Sequence, residues 1–536
     1  MMFNVSDVCS AVNCAQMSTD ANERLKANQY LDQVRSSQMA WHTGLSLFYQ
    51  GNSDVSKFFG LSLARDFLRG RSNELNFEHL QEIRLSIISW VREAVASNDQ
   101  AVNYLFKTSM NIIALLIKLE YPEKWENPFG ELLEIGKLGF ALRGVEFVMG
   151  VLNDIDAEIV QIHDKMDKTS FLQATKIKDA MRARRVTNEL VSFLCVAAVR
   201  AKNQGQVHIA SRCLQSLSRL IVWVDISLIV NNETLPLIYS GLRDEEIAAG
   251  ACMCVQEMVK KGMASNHKLE LIEKTDVISV LTDICNNLSN DLAEDVAPLI
   301  DTLFQEVQDI WADVEQSLRS EYREKQKNND INSNSTNDMG LGSSSSSGKK
   351  GKSSKSKDKL DPLIRSVLVT KLTSVAFCMH SCISMSLTLF RHSDSDVSSS
   401  LVPSLNRFVQ LLRSQANVSP QSKTNSKISK NASTTASNEN TGSSGNNHNH
   451  NNNNNNNRNR SRSNSNSNSY STSAEVEEEL SSAFCAAKYL PELLNAVYVQ
   501  LQYPADFDFN MEDEDDSLEL EVSICQSLSF ICNLYK

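Results

Sequence analysis

The strongest hydrophobic pattern in the chain lies between residues 219 and 263, where three helices are predicted in succession, with a tight corner after the first. The apolar positions of the third helix recur at helical spacing and share one face: Ile247, Ala251, Val255, Met258 and Val259. The acidic residues 244–246 are expected in its first turn, where the helix dipole favours negative charge. Lys261 complements the dipole at the other end, and Gly262 is expected to adopt a left-handed cap. Such a pattern is typical of one unit in a stack of helices.

Similar helical segments recur about every 20 residues from Asn22 to Arg323, so two helices give a period of about 40, the value of HEAT or armadillo repeats. Several helix starts carry N-cap residues, since Ser53 precedes one apolar segment and Asn76 precedes the next. The predicted fold is therefore all-α, a HEAT-repeat solenoid (α-α superhelix) in which each repeat buries its apolar face against its neighbours.

Two low-complexity tracts interrupt this pattern. The first ends in the lysine-rich segment 349–359, and the second contains the unbroken asparagine run 451–457. Neither tract can bury enough apolar surface to fold, so both are predicted to be disordered insertions. The predicted boundaries are an N-terminal tail (1–20), the main HEAT array (21–323), the first insertion (324–360), further HEAT helices (361–413), the second insertion (414–473) and a last helical segment (474–536).

The last segment ends differently from a complete solenoid. It contains an acidic loop at 512–516 and then an apolar helical pattern that reaches Lys536 without a polar finishing repeat. Because a solenoid needs polar terminal repeats for solubility, the array is expected to be truncated, or its end to pair with another surface.

Composition agrees with a soluble helical protein. The chain has 536 residues, 41% of them hydrophobic, a formal net charge of −12 and only 9 prolines. The N-terminus lacks a basic region followed by an apolar run, so no secretory signal is predicted. The apolar runs fall short of the ~18 residues that a membrane span needs, and an intracellular protein without membrane insertion is expected.

Two cysteine pairs raise the question of a metal site. Cys252 and Cys254, and likewise Cys378 and Cys382, are close in sequence, but neither pair is followed by a second ligand pair at zinc-site spacing. Free cysteine in a reducing compartment behaves as a small hydrophobe. Core packing is therefore preferred for both pairs, and no metal or other cofactor is expected.

The chain offers little support for catalysis. The segment Gly130–Leu138 superficially resembles a phosphate-binding loop, but it has one intervening residue too many and a leucine where Ser or Thr would hold magnesium. Serine-hydrolase and zinc-protease motifs are absent from the sequence. The protein is therefore predicted not to be an enzyme.

Several sequence blocks resemble those of one family of transport receptors. The blocks are Arg24–Arg35 with Trp41, Ile87–Trp90, Glu120–Trp125, Arg143–Ile159, Ile177–Arg182, and Trp223–Ile229 with Glu245, Glu246 and Lys261–Met263. Together they resemble the exportin-T family of importin-β-like karyopherins, collinearly over about 20–323 and more weakly over 367–412 and 490–516. Both low-complexity tracts then appear as insertions.

The resemblance implies a HEAT solenoid that binds Ran in its GTP form together with mature tRNA in the nucleus, and that releases both in the cytoplasm after GTP hydrolysis. It also implies contacts with nucleoporins of the nuclear pore, so the protein is expected in both nucleus and cytoplasm. In the family, Ran lies against the inner face of the N-terminal repeats, which corresponds here to residues within 55–118, without a specific assignment. Trp41, Trp90 and Trp125 lie near this region, but each occupies an apolar stripe and is predicted to be core, as is Trp223.

An acidic receptor needs a local basic surface to bind RNA, because neutralisation of phosphates dominates such affinity. One folded segment supplies it, and the candidate tRNA-binding residues are Lys176, Lys178, Arg182, Arg184 and Arg185. On a continuous helix, Lys178, Arg182 and Arg185 share one face. The alternative is a solvated helix face whose cations pair with local acids such as Asp179. The lysine-rich segment 349–359 is either a second basic source, a nuclear localisation signal or only a solubilising insert.

Two classes of function therefore stay open. The first is a nuclear export receptor for tRNA. The second is a HEAT-repeat scaffold for protein partners, or another karyopherin, that has lost tRNA transport through truncation of its C-terminal repeats.

Overall fold

The computed structural model describes residues 3–97, 103–138, 142–160, 168–335, 362–418 and 476–500. Within these ranges the chain forms helices joined by short turns, without a β-strand. The described residues divide into two compact units. Unit 1 contains those up to Glu306 and the segment 381–404, and unit 2 contains the remainder.

Among the described residues, fifteen α-helices precede residue 290. They are α1 (Val5–Met17), α2 (Ala21–Ser36), α3 (Ala40–Gln50), α4 (Asp54–Arg71), α5 (Phe77–Ala96), α6 (Asn103–Glu120), α7 (Pro128–Lys137), α8 (Arg143–Ile155), α9 (Lys168–Ala183), α10 (Val186–Asn203), α11 (Val207–Ile221), α12 (Thr234–Gly241), α13 (Ala248–Lys260), α14 (Ser265–Thr275) and α15 (Val277–Asn286). A π-helical turn, Asp156–Val160, extends α8, and short 3-10 helices occupy Ser72–Glu74 and Ile226–Leu228.

The later helices are α16 (Asn290–Ser335), α17 (Pro362–Phe390), α18 (Ser395–Ser400), α19 (Val402–Val418), α20 (476–483) and α21 (Leu490–Gln500), with a 3-10 turn at Ala486–Tyr489. The predicted N-caps are confirmed, since Ser53 accepts a hydrogen bond from the Ser56 N–H at 3.2 Å and Asn76 accepts one from the His79 N–H at 2.8 Å.

Successive helices of unit 1 pair through their apolar faces. The pairs are α3 with α4, α5 with α6, α7 with α8, α10 with α11, and α12 with α13. The second helices contact one another in chain order, α4 to α6 to α8 to α11 to α13, and the first helices do the same, α5 to α7 to α10 to α12. Two rows of helices in which each pair contacts its neighbours are the arrangement of a HEAT solenoid, and the predicted all-α fold is confirmed.

Glycine permits the closest approach between paired helices. A Cβ atom at Gly60 of α4 would lie 2.5 Å from the carbonyl oxygen of Gly44 in α3, and a Cβ at Gly44 would lie 2.5 Å from that of Gly60. Where α11 meets α13 of the next pair, a Cβ at Gly250 would lie 2.4 Å from the carbonyl oxygen of Ser211. The helices therefore pack backbone to backbone at these points, which brings the flanking apolar residues into the core.

The N-terminal residues 1–20 differ from the predicted tail, because they contain α1. Val8 and Val12 are buried and pack in one apolar cluster with Leu31 of α2. The helix is short, but its apolar residues fall on one face and cover the first repeat. A tail was predicted because this short stripe lies outside the longer repeat pattern.

The third helix of the strongest sequence pattern is α13, and its buried stripe is confirmed from Ile247 to Val259. The predicted helix start is wrong, because α13 begins at Ala248 and residues 244–246 form the preceding turn. Asp244 instead pairs with Lys202 at 2.7 Å. The predicted left-handed cap is also wrong, since the only described glycine with positive φ is Gly205.

The tryptophans divide into two groups. Trp41 and Trp125 are buried, each with 3% of its surface exposed, as predicted for core residues. Trp90 is only half-buried and packs edge-on against Phe48 with ring centroids 5.1 Å apart. The core prediction is therefore wrong for Trp90. It is also wrong for Trp223, which is half-buried at the corner after α11.

The boundaries of the two units differ from the predicted segment boundaries, because segment 381–404 belongs to unit 1 with residues much earlier in the chain. In unit 1, the backbone N–H of Ser404 donates to the buried Asp301 carboxylate at 2.9 Å, so residues near 400 pack with the start of α16. Unit 2 has its own aromatic core, in which Phe484 contacts Trp311 at 5.5 Å and Phe408 at 6.4 Å between ring centroids.

Most of the predicted insertions lie outside the described residues. Helix α16 continues to Ser335, past the predicted start of the first insertion at 324, and α19 continues to Val418, past the predicted start of the second at 414. The acidic loop 512–516 and the predicted helix before Lys536 also lie outside the described ranges.

One described segment, Arg365–Phe390, is long and apolar enough by length and composition to cross a membrane. Of its most apolar window, 61% is buried inside the protein, which is typical of a core helix.

The close approach at Gly60 leads to a stability prediction. Gly60→Ala should weaken α3–α4 packing by about 2 kcal/mol, because the new methyl group meets backbone atoms of α3. Amide hydrogen exchange in α3 and α4 measures the loss as faster local opening. Gly70→Ala in the same helix is the matched control, since nothing lies within 4 Å of a Cβ there. This variant should leave the exchange rate unchanged or slow it, because alanine's higher helix propensity can raise the free energy of local opening by up to ~1 kcal/mol. Equal effects of both variants would contradict the close packing.

Candidate nucleic-acid interface

The predicted basic cluster lies at the end of α9 and in the turn before α10. Helix α9 ends at Ala183, and Arg185 adopts a left-handed backbone with φ 58° as the first residue before α10. The prediction that Arg185 shares a helix face with Lys178 and Arg182 is therefore wrong. Since the helix ends between them, the three side chains do not form one stripe.

Arg182 caps the C-terminus of α11 together with Lys261. The guanidinium of Arg182 donates from Nη2 to the carbonyl oxygen of Trp223 at 2.9 Å. The Lys261 ammonium donates to the carbonyl oxygens of Ile221 at 2.6 Å and Val222 at 3.3 Å. The last carbonyls of a helix lack intrahelical partners and carry the negative end of its dipole, so two cations stabilise this end.

Trp223 and Asp225 complete this corner. The Arg182 guanidinium lies 5.8 Å from the centroid of the Trp223 ring, a cation–π distance. Asp225 caps the 3-10 helix that follows, accepting from the Ser227 N–H at 2.9 Å, and this hydrogen bond holds the pKa of the carboxyl below its usual value. Two sequence blocks of the family resemblance, 177–182 and 223–229, are therefore in contact through Arg182.

Arg184 and Lys176 bind a different segment, residues 120–126 after α6. Arg184 donates to the carbonyl oxygens of Glu126 at 2.6 Å and Pro122 at 3.4 Å, and its guanidinium lies 5.4 Å from the Tyr121 ring centroid. Lys176 forms an ion pair with Glu123, which holds the pKa of that carboxyl below its usual value. Segment 120–126 contains a third block of the family resemblance, so α9 contacts two such blocks.

A buried ion pair lies beneath segment 120–126. Arg84 of α5 donates to Glu120 at 3.2 Å, with the two side chains 11% and 0% exposed. The Arg84 guanidinium also lies 4.9 Å from the Trp125 ring centroid, and the Trp125 indole donates to Glu131 at 2.9 Å. Burial raises the pKa of Glu120, and the Arg84 charge opposes that rise. The interaction places the segment where Arg184 and Lys176 can reach it.

The remaining two predicted residues have different surroundings. Lys178 is half-buried, and its pKa is lowered by loss of solvent and by the nearby Arg182 charge, against the opposing charge of Asp156. Arg185 is exposed and forms no ion pair with the described residues. The structure thus brings Lys176, Arg182 and Arg184 into contacts with neighbouring segments and leaves Arg185 available to solvent.

Sequence reasoning missed two participants at this site. Lys261 was interpreted only as a residue at the end of its own helix, yet it caps α11. Glu123 was not associated with the basic cluster, because 53 residues separate it from Lys176. The expected local pairing is present as well, since Arg182 bonds Asp179 at 2.9 Å.

The face considered for Ran is formed by α4 to α6. Phe58 and Tyr104 are each 36% exposed and pack edge to face, with ring centroids 5.1 Å apart. At the other end of these helices, Glu158 accepts from Arg69 at 2.9 Å and from Lys118 at 3.2 Å. These ion pairs join α4 and α6 to the π-helical turn after α8.

The cysteine pairs are core residues, as predicted. Cys252, Cys254, Cys378 and Cys382 are buried, and burial raises the pKa of the Cys252 and Cys254 thiols. The Cys254 thiol donates to the carbonyl oxygen of Leu214 at 3.0 Å. Across the described part of the chain, no three His, Cys, Asp or Glu side chains converge as a metal site.

The phosphate-loop interpretation of Gly130–Leu138 has no structural support. Residues Pro128–Lys137 form α7, and Asn127 caps its start by accepting from the Gly130 N–H at 3.1 Å. The glycines therefore lie in a helix rather than in a loop that could surround a phosphate.

The buried ion pair generates a prediction with a defined pH dependence. Arg84→Met should lower the free energy of unfolding by about 3 kcal/mol at pH 7.5, because it leaves the Glu120 carboxylate buried without a cation. The pKa of Glu120 is higher in the folded protein than in the unfolded chain, so protonation of this carboxyl favours folding. This contribution to stability is complete below the unfolded pKa and is lost as the pH rises through the folded pKa. The loss in Arg84→Met should therefore be smaller at pH 5 than at pH 7.5, as measured by urea unfolding.

Two controls accompany that measurement. The double variant Arg84→Met/Glu120→Gln should recover part of the lost stability, since no unpaired charge is left buried. Arg35→Met, which breaks the exposed Arg35–Asp32 pair, should cost at most ~1 kcal/mol. The same loss at both pH values and in the double variant would contradict the buried-charge explanation.

The capping role of Arg182 is tested by comparison with Arg185. Arg182→Met should destabilise the last turn of α11 by about 1 kcal/mol, measured as faster amide exchange at 218–223. Arg185→Gly removes the same charge, but glycine adopts φ 58° without strain, so stability should be unchanged or slightly higher. If α11 stays equally protected from exchange in both variants, Arg182 is not a structural cap.

Comparison with known proteins agrees with this architecture. A family model described as Exportin 1-like protein matches residues 102–255, which include α9 and both segments that it contacts. Mouse (Mus musculus) exportin-T is 27% identical over 261 residues, which are 48% of this chain and 26% of that protein. Exportin-T of Dictyostelium discoideum is 24% identical over 270 residues, covering 50% of this chain and 24% of that protein.

A plant relative extends the similarity. Exportin-T of Arabidopsis thaliana is 22% identical over 294 residues, 53% of this chain and 29% of that protein. The chain thus spans about a quarter of the length of the curated relatives that it matches. With its two rows of paired helices and its likeness to homologues from animals, plants and amoebae, the chain is similar to the exportin-T family of karyopherins.

Proposed function

We propose that the protein is a nuclear export receptor that binds tRNA cooperatively with Ran in its GTP form and carries it through the nuclear pore to the cytoplasm. The observation that carries this proposal is similarity to exportin-T over about half of the chain. The Exportin 1-like family model, which matches residues 102–255, includes the basic segment. Nucleoporins are the expected transient partners during passage, and the protein is expected in both nucleus and cytoplasm. The relatives are exportins by name, which supports transport rather than catalysis.

For Ran, we propose the exposed face of α4 and α6, within residues 55–118. The exposed ring pair Phe58–Tyr104 offers apolar contact area there, and exposed aromatic side chains are enriched at protein interfaces. The Arg69–Glu158–Lys118 interaction offers charged groups at the other end of the same helices.

For tRNA, we propose phosphate contacts from Lys176, Lys178, Arg182, Arg184 and Arg185. The charges are clustered on one short segment, although the overall charge of the protein is −12. Local positive charge of this kind binds RNA through its phosphates and its A-form shape rather than through base edges.

A specific observation favours the alternative of a protein-binding scaffold. Lys176, Arg182 and Arg184 already have internal partners, so the basic segment also serves to hold neighbouring loops in place. On that alternative, the protein would bind protein partners through its helical surfaces and would retain no tRNA.

The two functions are separated by measuring tRNA affinity with and without Ran. Binding of a labelled tRNA transcript to the full chain should tighten about tenfold or more when Ran carries a non-hydrolysable GTP analogue, a coupling typical of linked sites. Ran loaded with GDP is the control and should leave the affinity unchanged. Equal tRNA affinity under all conditions would refute the cooperative export function, and capture of proteins without tRNA would support the scaffold.

A further inference from the structure

Lys176, Arg182 and Arg184 of the basic segment have partners within the protein. Lys176 pairs with the Glu123 carboxylate, Arg184 donates to the Glu126 carbonyl oxygen at 2.6 Å, and Arg182 donates to the Trp223 carbonyl oxygen at 2.9 Å. Any phosphate that binds these groups must share them with their present partners or replace those partners. The contacts that hold the basic segment in place therefore use the same side chains that would bind anions.

Helix α9 depends on these polar contacts because its apolar packing is limited. Of its 16 residues, the described buried ones are Ala174, Ile177 and Met181. Phe171 and Leu172 are 46% and 59% exposed, so the first turns of α9 contribute little to the core. An element with few buried apolar contacts opens more readily than the helices around it.

The internal partners of these cations are weak competitors for a phosphate. The Lys176–Glu123 pair is 57% exposed on both sides, and exposed ion pairs contribute little to stability. Arg182 also forms an exposed ion pair with Asp179 at 2.9 Å. Its other partner and the hydrogen-bond partners of Arg184 are carbonyl oxygens, which carry only partial charge, whereas each RNA phosphate carries a full negative charge. Exchange of these partners for phosphates is therefore physically accessible.

Helix α9 is also connected to the face proposed for Ran. The Gln173 side chain donates to the backbone carbonyl of Lys118 at the end of α6. The Lys118 ammonium in turn bonds Glu158, which also accepts from Arg69 of α4. A ligand that shifts the ends of α4 and α6 would thus change the contacts that hold α9.

We propose that segments 120–126 and 221–225 compete with RNA for Lys176 and Arg182 of α9 and for Arg184 in the turn after it. The two segments hold these cations until phosphates replace them as partners and release both segments. The proposal rests on the RNA-binding function proposed above and concerns its regulation. It predicts that weakening an internal partner strengthens RNA binding, and that RNA binding loosens the two segments.

The experiment uses the full chain with a tRNA transcript as the probe. Glu123→Gln removes the carboxylate partner of Lys176 and should raise tRNA affinity about two- to fivefold, the range that corresponds to one exposed ion pair. Glu134→Gln is the matched control, because it makes the same charge change in the exposed Glu134–Lys137 pair of α7. It should leave the affinity unchanged.

Amide hydrogen exchange of the same complexes supplies the second readout. With tRNA bound, exchange at 120–126 and 221–225 should become at least severalfold faster, while the buried α13 stays protected. Tight tRNA binding with unchanged or slower exchange at both segments, or equal gains from Glu123→Gln and Glu134→Gln, would overturn the competition but leave the export function standing. Failure of the wild-type chain and of Glu123→Gln to bind tRNA, even with Ran present, would overturn both.

Discussion

Burial of apolar helix faces between successive pairs is the constraint on which the rest of the structure depends. Where α3 meets α4 and α11 meets α13, glycines bring the backbones together, and the flanking side chains close the core from both sides. Even polar atoms are recruited there, as when the Cys254 thiol bonds the Leu214 carbonyl. Because the apolar faces of the helices are used for packing, charged side chains lie mostly on the opposite, exposed faces, at helix ends and in loops.

The ends of the helices are where the sequence blocks of the family meet. A helix end leaves carbonyl groups without partners, and Arg182 and Lys261 satisfy those of α11 from two other helices. Arg184 does the same for carbonyls of segment 120–126, above the buried Arg84–Glu120 pair. Residues far apart in sequence are thus linked by one requirement, the pairing of backbone oxygens at the junctions between repeats.

Under the proposed function, the same cations would hold the helix ends together and bind RNA. A guanidinium that holds a carbonyl oxygen in the free protein is also the group best suited to bind a phosphate. Such a segment does not need to be a bare basic patch, and an acidic protein can carry it without strong self-repulsion. The local neutralisation of Lys176 by Glu123 and of Arg182 by Asp179 is consistent with a surface that becomes basic only when its partners change.

The sequence by itself determined the helical class, the N-caps at Ser53 and Asn76 and the buried stripe from Ile247 to Val259, because helix periodicity and capping are local properties. It also identified the basic segment, because charge density needs no knowledge of the fold. Tertiary structure alone decided that α9 ends at Ala183, that Trp223 lies half-exposed under Arg182, and that Glu123 faces Lys176. These outcomes depend on contacts between residues tens of positions apart, and the periodicity of one helix contains no information about which loop of another repeat will reach its end.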